Sequence, residues 1–193
     1  MPDTSSRLQD FSISEKVAKL SAFIASDIDT RGARGLYAAG GCYLLIARSP
    51  ESPVVLALRE HAEGLGKSGI RIRAIFGECE LGSATVAAAP FALPSECRVA
   101  RDPRLLAAHE QLVLTPDCAW IGDSMRREPS KRDAYESFTP RCSETATNAS
   151  RSFEKLWRAA SPMRAVPAVS AALASRIPDL ANGLDGFDIP RRQ

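Results

Sequence analysis

The residues best equipped for chemistry gather in one stretch, His109 to Met125, which reads HEQLVLTPDCAWIGDSM. It carries one of the chain's two histidines, His109, followed by Gln111, Asp117, Asp123 and Ser124. An imidazole can attack an electrophile or move a proton, a carboxylate can orient that imidazole, and amides and hydroxyls can donate hydrogen bonds. Two apolar runs, Leu112-Val113-Leu114 and Ala119-Trp120-Ile121, are separated by the breaker Thr115-Pro116-Asp117. This pattern predicts two strands joined by a tight turn, with polar groups at both ends of the pair. Such ends are where a rigid scaffold presents a site.

Other candidates are weaker. His61 falls on the apolar side of a predicted helix, close to its glycine-rich end, which suits a structural histidine near a helix C-terminus. Arg98 to Arg104 holds three arginines against one aspartate and reads as a solvated turn. Arg126, Arg127, Lys131, Arg132 and Arg141 alternate with Glu128, Asp133 and Glu136. Mixed signs favour a wet surface, although four of these cations, Arg126, Arg127, Lys131 and Arg132, offer a weak phosphate or nucleic-acid contact. The five cysteines, 42, 79, 97, 118 and 142, form no close pair, and with only two histidines no zinc site is expected. They read as reduced thiols. Gly40-Gly41 precedes a strand rather than a helix, and no dinucleotide or P-loop glycine pattern occurs, so no cofactor is expected.

The elements that must position these residues follow from periodicity. Ile13, Val17, Leu20, Phe23 and Ile24 predict an amphipathic helix over about 13–26, capped by Ser12 and Glu15, before a turn-rich break at Asp27 to Gly35. Cys42 to Ala47 is a continuous apolar run, as expected of a strand covered on both faces. Ser52 and Pro53 predict a helix start, and Gly64, Gly66 and Gly69 its stop. Ile70 to Phe76 alternates apolar residues with arginine and reads as a strand nearer an edge. Strand, helix and strand over about 42–76 form a βαβ unit with parallel strands. Ala84 to Ala89 is a further short strand, and Ala134 to Phe138 an edge strand. Ser143 caps a helix over about 144–160 with Ala146, Ala149, Phe153, Leu156, Trp157 and Ala160 on one stripe, and a short helix at 167–177 follows.

A chain of 193 residues suffices for one sizeable core. The expected domains are a lead-in at 1–11, one α/β domain at 12–178 with a mixed sheet and helices on both faces, and a polar tail at 179–193. A net charge of +2 is too small to imply nucleic acid or anionic membrane by itself. The polar N-terminus and the lack of a run near 20 apolar residues point to the cytoplasm and to no membrane span.

The order of parts resembles the phospholipase D superfamily. The resemblance covers about 41–160: a central strand, a helix leading into KSGIRIRAIF, a histidine opening a hairpin, a glycine turn after AWIG, and a late helix with FEKLW. That family's signature is His-x-Lys, four residues, Asp, then Gly-Ser-x-Asn. It implies a histidine nucleophile that forms a phosphohistidine, a second histidine that protonates the leaving oxygen, and lysine, serine and asparagine that hold the phosphate oxygens. His109 matches the nucleophile. Gln111 stands at the lysine, Pro116 at the aspartate with Asp117 one residue late, and after Gly122 come Asp123, Ser124 and Met125 instead of Ser-x-Asn. A one-residue slip in a turn leaves Asp117 in reach of the imidazole.

These departures remove a cation and add an anion where a diester would sit. Each oriented donor is typically worth about 3–4 kcal/mol of transition-state stabilisation. The resemblance therefore implies a catalytically degenerate, phospholipase-D-like binding or regulatory module, with Gln111, Gly122, Asp123 and Ser124 as a remnant phosphate site. Since the family pairs two motifs and this chain holds one, it also implies a homodimer or partner domain. Two alternatives stand beside it: an active homodimeric phosphodiesterase or nuclease using His109 with Asp117, and an unrelated α/β interaction protein in which the hairpin is core.

Overall fold

Strand β1 (Gly41–Ala47) is built from the apolar run GCYLLIA, and both of its faces are covered. Tyr43, Leu45 and Ala47 point into one core, while Leu44 and Ile46 pack on the other side. The computed structural model describes residues 13–33, 41–77, 95–126 and 136–163. Among these, β1 is joined through α2 (Pro53–Glu60) and α3 (Ala62–Lys67) to β2 (Ile70–Phe76), which runs parallel to it with Gly41 opposite Ile70 and Ala47 opposite Phe76. Strand β3 (Ser95–Val99) lies parallel to β2 on its far side. The expected hairpin is β4 (His109–Thr115) and β5 (Cys118–Ser124), with β4 antiparallel to β1. Short strands β6 (Ser137–Thr139) and β7 (Ser161–Pro162) close the ends, and the sheet order is β6-β5-β4-β1-β2-β3-β7. The fold is thus a single α/β domain with a mixed sheet.

Helix α1 (Ile13–Ala33) and α2 cover one face of the sheet, where Leu20, Ile24, Val54, Val55 and Leu58 meet Leu112, Leu114 and Trp120. Helix α4 (Ser143–Ala159) covers the other face with Ala146, Ala149, Phe153, Leu156 and Trp157. No helix among the described residues is long and apolar enough to cross a membrane.

Several sequence expectations need correction. The turn-rich segment at Asp27 is helical to Ala33. It holds because Asp27 accepts from Arg31 Nε at 2.7 Å, one turn on, and from the Tyr43 hydroxyl at 2.6 Å. Strand β2 is interior, flanked by β1 and β3. Its arginines face the α4 side, where Arg73 lies over the rings of Phe153 and Trp157 at 5.2 and 4.3 Å, so the alternation reports a face only partly covered by the helix. Arg98 belongs to β3 rather than to a solvated turn, and its Nη1 donates to the Trp157 carbonyl at 2.7 Å, capping the end of α4. Ser52 stands at the N-cap of α2 but makes no side-chain cap, and at α4 the N-cap is Cys142 rather than Ser143. Helix α3 ends where expected, with Gly69 at φ 64°, a conformation only glycine adopts without strain. The expected strand at 84–89, the helix at 167–177, the cap at Ser12 and the two terminal segments lie outside the described residues.

Candidate functional site

The parallel strands β1, β2 and β3 end at one edge of the sheet, and antiparallel β4 begins there. In open α/β sheets this edge is where ligands usually bind. His109 sits on it, exposed, directly across from Ser124 at the end of β5. Between the pairs His109–Ser124 and Gln111–Ile121, one residue of β4, Glu110, faces two of β5, so β5 carries a bulge at Gly122 and Asp123. Such bulges re-aim side chains and recur beside sites. Here the bulge brings the Gly122 carbonyl oxygen to 2.9 Å from His109 Nδ1. A carbonyl only accepts, so Nδ1 carries the hydrogen, and in the neutral ring the lone pair falls on Nε2.

Gly122 is required for a packing reason. A Cβ at this position would lie 2.5 Å from Cη2 of the Trp120 ring, which is itself buried. Asp123 turns its Oδ1 onto the backbone N–H of Ser124 at 2.8 Å. The Ser124 hydroxyl faces the Leu106 carbonyl at 3.5 Å. Met125, at the resemblance's asparagine position, is 1% exposed and packs with Ile46 and Ile75, so it supplies no donor. The backbone N–H of Met125 donates to the Ala108 carbonyl at 2.9 Å and ties β5 back to the start of β4.

Gln111 points toward α4 and is 4% exposed. Its Nε2 donates to the carbonyl of Ala149 at 2.7 Å, so the amide links strand to helix. Asp117 is a correction to the expected His109–Asp117 pair. It lies in the turn at the opposite end of β4, where it accepts from the Thr115 hydroxyl at 2.7 Å. A strand of this length separates the two side chains by roughly 20 Å. The one-residue slip is therefore immaterial, because the hairpin's length keeps the pair apart.

The structure adds one residue that sequence reasoning missed. Glu110 points to the other face from Gln111, and its Oε1 accepts from the backbone N–H of Arg48 at 2.8 Å and from the Ser52 hydroxyl at 2.7 Å. Burial holds its carboxyl above the ordinary carboxylate range, against the pull of those two donors. The available signal was a charged residue two positions before an apolar strand run. Around the same edge Arg101, Arg104 and Arg126 are exposed. Arg126 also donates from Nη2 to the Pro103 carbonyl at 2.9 Å. Arg127, Lys131 and Arg132 lie outside the described residues. His61 sits between α2 and α3, with its Nε2 buried and unpartnered among the described residues. Among the described residues, Cys42, Cys97, Cys118 and Cys142 form no disulfide.

No protein-family model matches the chain, and no curated protein does. Among solved structures, the chain is similar to NucT from Helicobacter pylori, with a TM-score of 0.48 and 12% identity over 75% of this chain and 93% of that one. It is also similar to TrmBL2, an archaeal chromatin protein whose structure shows a novel mode of DNA binding. There the TM-score is 0.47 and the identity 10%, over 82% of this chain and 56% of that one. Neither likeness assigns a family.

Proposed function

We propose that this chain is a phospholipase-D-like domain without competent phosphodiesterase chemistry, serving as a binding or regulatory module for a phosphate-bearing partner at the His109 edge. One observation carries the reading. The position that would supply the phosphate-binding cation is Gln111, whose amide is buried and engaged by the Ala149 carbonyl. It adds no charge to the edge and has no donor aimed outward. Asp117, the expected partner of the imidazole, sits at the far end of the hairpin. The imidazole therefore faces an edge whose positive charge comes from exposed arginines such as Arg101, Arg104 and Arg126, not from an oriented clamp.

A second reading, an active homodimeric phosphodiesterase, has one observation in its favour. The Gly122 carbonyl fixes the tautomer that leaves the lone pair on Nε2, as a nucleophile needs. Hydrolysis of bis(4-nitrophenyl) phosphate and cleavage of a labelled single-stranded oligonucleotide separate the two. The module reading expects no difference in turnover between the parent chain and His109→Ala. Turnover that His109→Ala lowers by orders of magnitude would establish the enzyme and remove the module.

A further inference from the structure

At the opposite edge of the sheet, a cleft of about 770 Å³ opens between α4 and the ends of β1 and β4. We propose that it binds a small organic anion: an apolar body carrying a carboxylate or phosphate head. Its floor is apolar, formed by Leu44, Val113 and Pro116. One wall is the flank of α4 that carries Arg151, Lys155 and Arg158. Spacings of four and three residues put these cations on one helical face, spread over about 10 Å of its axis. All three are exposed, and none forms an ion pair among the described residues. Glu154, the acid on the same flank, is committed to Arg73.

The deepest cation is a built feature. The Arg31 side chain is 13% exposed and lines the cleft. Its Nε is held by Asp27 and its Nη2 by the Leu114 carbonyl at 2.9 Å. Its Nη1 makes no hydrogen bond among the described residues and occupies the space above Gly41, where a Cβ would come within 2.9 Å of it. A fixed guanidinium thus keeps one donor-bearing nitrogen uncommitted at an apolar cleft, with three exposed cations across from it. The volume falls in the range typical of small-molecule sites. Among the described residues no aromatic side chain lines the cleft, so these offer no stacking platform of the kind that single-stranded nucleic acid uses.

Calorimetric titration of the full chain with octyl phosphate and octanoate tests the site, with inorganic phosphate and octyltrimethylammonium as partial ligands. The surface double variant Lys155→Glu with Arg158→Glu reports on the wall, and His109→Ala on the other edge. We expect one or both octyl anions to bind the parent, the octyl cation not to bind, and inorganic phosphate to bind at least about tenfold more weakly, for want of the apolar contact. The double variant should weaken the octyl anion at least about tenfold, and any part of the signal that His109→Ala removes is assigned to the other edge. Absence of octyl-anion binding to the parent would overturn the proposal, as would equal binding by the double variant or by the octyl cation. An oligothymidylate that binds more tightly than the octyl anions, and loses affinity with the same two substitutions, would assign the cleft to a nucleic-acid strand instead.

Discussion

Glu110 shows how a single side chain can connect the candidate site to the stability of the fold. Its carboxyl is the acceptor that joins the start of β4 to the β1–α2 connection, through the N–H of Arg48 and the hydroxyl of Ser52. Burial raises its pKa in the folded state, so between the ordinary carboxylate value and that raised value the folded chain binds more protons than the unfolded one. Stability from this group is therefore greatest at low pH and falls as pH rises through the folded value. Glu110→Gln keeps an acceptor oxygen and cannot ionise. Urea unfolding of both chains from pH about 4 to about 8 should show the stability difference moving in favour of glutamine as pH increases. A difference that is flat, or that moves toward glutamate, would mean the two donors outweigh the burial. His109, its tautomer-fixing glycine and the polar residues at the strand ends were legible in the sequence, because they break an otherwise apolar pattern. The outward or inward direction of Gln111 was not, since it depends on where the Ala149 carbonyl of a helix 38 residues away comes to rest.

At the scale of elements, local pattern and long-range contact divided the fold between them. The parallel pair β1 and β2 and the hairpin β4–β5 were readable because continuous apolar runs bounded by glycine or proline leave few alternatives. The last turns of α1 were not readable. Asp27 to Ala33 carries polar residues and a glycine, and stays helical because a buried trio holds it: Asp27, Arg31 and Tyr43. The Tyr43 hydroxyl lies on β1, 16 residues from Asp27 in sequence, which no window of local periodicity senses. Burial and the neighbouring Asp27 carboxylate push the Tyr43 phenol far above its ordinary range, so it remains a neutral donor. Tyr43→Phe removes that donor and little volume. A hydrogen bond to a charged acceptor is typically worth about 1.5–3 kcal/mol, and because Arg31 still partners Asp27 we expect a loss near about 1.5 kcal/mol in urea unfolding. Amide exchange should quicken over 27–33 more than over 13–24. An unchanged midpoint with unchanged exchange would show that propensity alone sustains the helix.

Across the whole molecule, the sheet separates two chemistries onto opposite edges. The exposed imidazole stands where β1, β2 and β3 end, and the cation-walled cleft lies where β1 begins and β4 ends. Substitutions this far apart with no shared partner add independently, so the effect of His109→Ala can be told apart from that of the cleft variants. The phospholipase-D-like reading makes a demand that one such domain does not meet by itself. A phosphohistidine mechanism uses two imidazoles, one to attack and one to protonate the leaving oxygen. His109 is the one histidine at its edge among the described residues, since His61 lies between α2 and α3. A second imidazole would have to come from a twin chain facing that edge or from a separate partner. Light scattering on the eluting protein distinguishes a 20.8 kDa monomer from a species of twice that mass. On the phospholipase-D-like reading a dimer is expected, and Arg101→Glu or Arg126→Glu, at the rim of the edge, should weaken it about tenfold or more if the rim lies in the interface. A strict monomer at all concentrations would remove the homodimeric enzyme, and would leave the module reading dependent on a partner domain.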